Sequence, residues 1–91
     1  MSGELLAMTT IEDHDGARRL AEALVSARVA ACVSIVPGLE SVYHWQGAVE
    51  REGECLLLIK TSRAAWDRLA EVLAEAHPYE LPELIAVPVE A

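Results

Sequence analysis

Apolar residues first gather in a short run, Leu5-Leu6-Ala7-Met8-Thr9, after a polar start, and such a run suits a central β-strand. The polar stretch Ile11-Glu12-Asp13-His14-Asp15-Gly16 reads as the turn out of it. Asp13 is placed to cap a helix, and Asp15 adds negative charge where the first backbone N–H groups lack partners. The period then changes. Ala17, Leu20, Ala21 and Leu24 recur at i, i+3, i+4 and i+7, with Arg18, Arg19 and Glu22 beside them, which predicts an amphipathic helix.

From Val29 to Val36 the residues are β-compatible, and they run into Pro37-Gly38, a bulge or bend. Leu39 to Trp45 resumes as strand, Gln46-Gly47 supplies a tight reversal, and the chain returns from Ala48. The returning arm begins polar, with Glu50, Arg51, Glu52 and Glu54, and ends in Cys55-Leu56-Leu57-Leu58-Ile59. A run apolar at every position predicts burial on both faces. One hairpin thus has its base inside a sheet and its tip projecting from the domain. Thr61-Ser62 offers an N-cap to a second helix marked by Trp66, Leu69, Ala70, Leu73 and Ala76, which Pro78 stops. Leu84 to Val89 is the last strand. The order β-α-β-β-α-β predicts one α+β domain over residues 1–91, a ferredoxin-like sandwich with a long hairpin.

Ninety-one residues are few for a self-sufficient core, yet 53% are hydrophobic. That excess points to burial against a second copy of the chain. Seven Lys and Arg against fifteen Asp and Glu leave a formal charge of −8, the wrong sign for neutralising phosphate backbones. Nucleic acid is therefore not an expected partner. Apolar runs of this length match neither a signal peptide nor a membrane span. Cys32 and Cys55 sit far apart in apolar runs, so both are expected to be reduced and buried, in a cytoplasmic protein.

The densest chemistry lies in His77-Pro78-Tyr79-Glu80-Leu81-Pro82-Glu83, between the second helix and the last strand. Proline fixes its own φ and pushes the preceding residue toward extended backbone. An imidazole, a phenol and two carboxylates therefore stand on a stiff connector. No nucleophile motif and no glycine-rich phosphate cradle is present, which argues against an enzyme. His14, His44 and His77 share no i, i+3 or i+4 spacing, so no metal site is assembled locally. Trp45 and Tyr79 read as core or interface anchors.

Four stretches taken together resemble a known family. They are Leu24 to Gly38 around Arg28-Val29-Ala30-Ala31-Cys32-Val33, Ser41-Val42-Tyr43-His44-Trp45-Gln46-Gly47, Leu57-Leu58-Ile59-Lys60-Thr61, and His77 to Glu83. In this order and spacing they resemble the CutA family, the divalent-cation tolerance proteins. The resemblance implies a homotrimer of ferredoxin-like protomers, similar in architecture to the PII signalling proteins, with hairpins packed across the three-fold. It implies a part in tolerance of copper and other divalent cations, no catalytic activity and no organic cofactor. By matching position, His77 and Cys32 become candidate copper contacts. Trp45, Lys60, Tyr79, Glu80 and Glu83 become candidates for a ligand pocket between subunits. Three departures stand against the family pattern. Thr9 occupies a position where some members have cysteine, and Ala76 one where some have a second histidine. The usual C-terminal helix is absent before Ala91. Two other roles fit the same residues: a PII-like sensor of a small molecule, and a trimeric scaffold that binds no metal.

Overall fold

The computed structural model describes residues 3–90. Strand β1 (Glu4–Ile11) alternates in burial, so that Leu5, Ala7, Thr9 and Ile11 point one way under the helices. Helix α1 (His14–Ser26) starts as the sequence predicts: the Asp13 carboxylate accepts from the Asp15 and Gly16 N–H groups at 3.3 and 3.1 Å. Gly16 packs closely there, for an added Cβ would meet the Ile11 Cδ1 at 3.2 Å. Ala17, Leu20 and Leu24 face the sheet.

The exit of α1 is a two-bond cap. Val29 N–H donates to the Leu24 carbonyl at 3.2 Å and Arg28 N–H to that of Val25 at 3.0 Å. This cap requires left-handed backbone at its pivot, where glycine is usual, yet the pivot is Arg28 with φ of 60°. An L-residue held there costs roughly 1–2 kcal/mol.

Strands β2 (Cys32–Trp45) and β3 (Ala48–Ser62) form the long hairpin, closed by Gln46 and Gly47 at φ of 49° and 81°. Positive φ at both turn residues matches the twist of the two arms. The pairing steps from Val36↔Leu56 to Leu39↔Glu54, so Pro37 and Gly38 together oppose one residue. Cross-strand partners share a face. The extra residue thus puts Leu39, Ser41, Tyr43 and Trp45 on the same side as Glu54, Glu52 and Glu50.

Helix α2 (Trp66–Ala76) and the short β4 (Ile85–Pro88) complete a sheet in the order β2-β3-β1-β4, every pair antiparallel. This is the expected ferredoxin-like order. Three local expectations are corrected. Thr61 and Ser62 end β3 and do not cap α2, whose N-cap is Ala65. The Thr61 hydroxyl donates instead to the Val29 carbonyl at 2.6 Å, fastening the exit of α1 to the sheet. The run from Cys55 to Ile59 is fully covered on one face only, because both helices lie on that face: Cys55, Leu57 and Ile59 are buried, while Leu56 and Leu58 are half-buried. For the same reason Cys32, opposite Lys60 on the helix-free face, is exposed in the protomer, and only Cys55 is buried.

The helix-free face is apolar. Leu6, Met8, Leu56 and Leu58 are half-buried there, and Val36, Ile85 and Val87 are 41–49% exposed. The molecule measures 42 × 25 × 22 Å, its long axis fitting the projecting hairpin.

Candidate functional site

Strand β4 pairs with β1 only as far as Met8. Two residues further on, the sheet edge is met by a side chain. Helix α2 ends at Ala76, and His77 takes extended backbone at ψ of 133°, as a residue before proline must. Its ring is thereby turned inward, 5% exposed. The Tyr79 N–H donates to Nδ1 at 3.1 Å. With that lone pair engaged, Nε2 carries the proton and donates to the Thr10 carbonyl, 2.9 Å away. His77 is thus a cross-brace between the connector and β1, and both ring nitrogens are occupied. Its ring also stands edge-on to Tyr79, centroids 4.6 Å apart.

The brace sets Tyr79 over the hairpin, where its hydroxyl donates to Glu54 Oε2 at 2.7 Å. Burial, and then the Glu54 carboxylate, push the phenol well above its ordinary range, so Tyr79 remains a donor. Between connector and hairpin lies an open cleft of about 880 Å³. Tyr43, Trp45 and Tyr79 give it aromatic walls, and Glu50, Glu52, Glu54, Glu80 and Glu83 give it charge. Just outside, Glu12 faces Glu52, and the repulsion between the two carboxylates raises the Glu12 carboxyl above its usual value. The cleft therefore favours cations over anions.

Of the residues expected in a pocket between subunits, the protomer by itself brings Trp45, Tyr79, Glu80 and Glu83 to one cleft. Lys60 is elsewhere. It pairs with Cys32 and Leu6 at the opposite end of β3, its Nζ 3.9 Å from Cys32 Sγ. Cys32 and His77 are likewise apart within the protomer: one lies across from Leu6, the other against Thr10, four residues or about 13 Å along β1. Among the described residues no group of three or more His, Cys, Asp or Glu side chains could hold a metal ion. Thr9 lies in the core under the helices and Cys32 on the other face of the sheet, so a cysteine at position 9 would not have faced Cys32. Sequence reasoning missed Thr10 and the glutamates of the returning arm as cleft residues. The spacing Glu50, Glu52, Glu54 did carry the signal, because alternate strand residues share a face.

Residues 5–91 match a family model described as CutA1 divalent ion tolerance protein. The chain belongs to that family. A divalent-cation tolerance protein CutA of Thermus thermophilus is 46% identical over 86 residues, covering 94% of this chain and 84% of the relative. Its solved structure superposes with a TM-score of 0.93, covering 97% of this chain and 85% of that one. The CutA structure from Xylella fastidiosa, 41% identical, gives 0.95 with 99% and 86% covered. A more distant relative from Archaeoglobus fulgidus, named a periplasmic divalent cation tolerance protein, keeps the fold at 27% identity, with a TM-score of 0.92 and 97% and 85% covered. The chain spans about half the length of the chloroplast relatives from rice and Arabidopsis, 49% and 47%.

Proposed function

We propose that the protein is a non-enzymatic, cytoplasmic homotrimer that serves divalent-metal tolerance, copper included, by gathering cations at the acidic cleft. The observation that carries this reading is the five glutamates lining one cleft beside the braced connector, in a chain of the divalent ion tolerance family. Carboxylate oxygens and water can hold a divalent cation loosely; a soft copper ion would also seek sulfur, and Cys32 is the exposed thiol. His77 is a poor donor as it stands, since a metal would first have to displace the Thr10 carbonyl or the Tyr79 N–H. The trimer is supported by the uncovered apolar sheet face, which a lone protomer leaves wet.

Calorimetric titration of copper(II) and of zinc into reduced protein tests the cation clause. Saturable binding that weakens in Glu52→Gln/Glu54→Gln supports it. Loss on Cys32→Ser alone would move the copper to the thiol, and the absence of saturable heat would refute the clause. Sedimentation at micromolar concentration tests the assembly, and a monomer would refute it. A small-molecule sensor is the second reading, favoured by the three aromatic rings around the cleft.

A further inference from the structure

The rings of Tyr43 and Trp45 share one face of the hairpin with the carboxylates of Glu50, Glu52 and Glu54, because Tyr43 pairs with Glu50, Ser41 with Glu52 and Leu39 with Glu54. Contacts fix where two of these carboxylates point. Glu54 accepts from the Tyr79 hydroxyl at 2.7 Å. Glu52 lies against Tyr43, whose phenol is raised first by partial loss of water and then by that carboxylate. Residues two apart on a strand are separated by about 6.7 Å. The glutamates thus stand in a row, which spaces their oxygens out instead of converging them on one ion. Accordingly, no group of three or more His, Cys, Asp or Glu among the described residues could hold a metal. Nor is the row neutralised from within the protomer. The one ion pair among the described residues is Arg19 with Asp13, and Arg51 alternates to the opposite face of the hairpin.

The second observation is apolar. A row of carboxylates that attracted only hydrated metal ions would need no rings beside it. Yet Tyr43, Trp45 and Tyr79 wall the same cleft, and Trp45 is 59% exposed. Cationic carbon chains use both features. An ammonium group is drawn to the face of an aromatic ring, and methylenes that lie on the ring lose water. Two ammonium groups joined by four carbons stand about 6 Å apart when extended, close to the step of the row.

We propose that the cleft binds a linear aliphatic polyamine along the returning arm, its ammonium groups over successive glutamates and its methylenes against Tyr43 and Trp45. Such an occupant presupposes the cation-gathering role proposed above for this cleft, and it fixes the class of cation. The simpler account is a solvated acidic face whose rings are covered by a second copy of the chain. In that case the assembled protein offers a polyamine charge alone and no ring.

The test is calorimetric titration of the assembled, reduced protein with spermidine and, separately, with zinc, at one ionic strength. Spermidine should bind saturably. Trp45→Leu should weaken spermidine roughly tenfold, as expected for losing a ring face from a partly desolvated cation, and leave zinc unchanged. Glu52→Gln/Glu54→Gln should weaken both ligands. Sedimentation checks that each variant assembles as the parent does, and Tyr43→Leu is read in the same way should Trp45→Leu not assemble. The proposal is overturned, with the cation role left standing, if zinc binds in a glutamate-dependent way and spermidine does not. It is overturned equally if the ring variants bind spermidine as the parent does. If neither ligand gives saturable heat, the cation role itself falls and takes the polyamine with it.

Discussion

Replacing His77 by alanine removes the brace between the connector and β1 and should weaken the protein more than any exposed residue of the same stretch. Two hydrogen bonds go, each contributing about 1 kcal/mol. The Thr10 carbonyl and the Tyr79 N–H are left beside a void that water reaches only in part. The edge contact with Tyr79 adds about 0.5–1.5 kcal/mol. The sum is a loss of about 3 kcal/mol. Urea denaturation followed by circular dichroism, at one protein concentration because assembly contributes to stability, measures it directly. His77→Gln offers a control, since its amide can still donate to Thr10 and should recover about 1 kcal/mol. A chelator should leave these differences unchanged. A loss under about 1 kcal/mol for the alanine variant would show that the imidazole is not a structural brace, and a loss that disappears with chelator would return His77 to the metal.

Two further outcomes follow from buried and crowded polar groups. The Thr9 hydroxyl is fully buried with no partner among the described residues, so Thr9→Val, nearly the same in shape, should raise stability by about 1 kcal/mol in the same denaturation assay. The Glu12 carboxyl is raised in the folded protein by Glu52, so the folded state holds its proton more tightly than the unfolded chain does. Stability therefore falls as pH rises through the interval between the unfolded and folded values. Glu12→Gln should melt higher than the parent at pH 7, and the two melting curves should converge as pH drops below the ordinary carboxylate range. A gap that persists at low pH would refute the carboxylate repulsion.

The order of elements was legible because each change of apolar period marks a change of backbone, as at Ala17 and again at Val29. The caps were legible only where the capping chemistry is local: Asp13 captures N–H groups two and three residues away, and it was found. Thr61 was misread because its hydroxyl acts across the fold, on Val29. Exposure of Cys32 was hidden by its apolar neighbours, which report strand and not which face the helices cover. The stiffness of the His77 connector was readable from Pro78. The partner that gives the imidazole its work, Thr10, lies 67 residues away and leaves no trace in local spacing. Lys60 and Trp45 share a hairpin in sequence, but a strand rises about 3.3 Å per residue, and its length carries the two to opposite ends of the sheet.

The bulge at Pro37-Gly38 makes the aim of the hairpin tip a matter of counting. Between the pairs Val36↔Leu56 and Leu39↔Glu54 one arm has two residues and the other has one, and the number of residues on each arm between base and tip, with no particular side chain, decides which way Tyr43, Trp45 and the glutamates look. Adding one residue between Glu54 and Cys55 would equalise the arms and turn the tip over as a block, its cross-strand partners intact, so that the cleft wall faced away from the connector. Removing one from Pro37-Gly38 would also equalise them, yet leave the wall facing as it does now. Insertions and deletions a few residues apart in space thus have opposite consequences here, and chain length at this point encodes orientation.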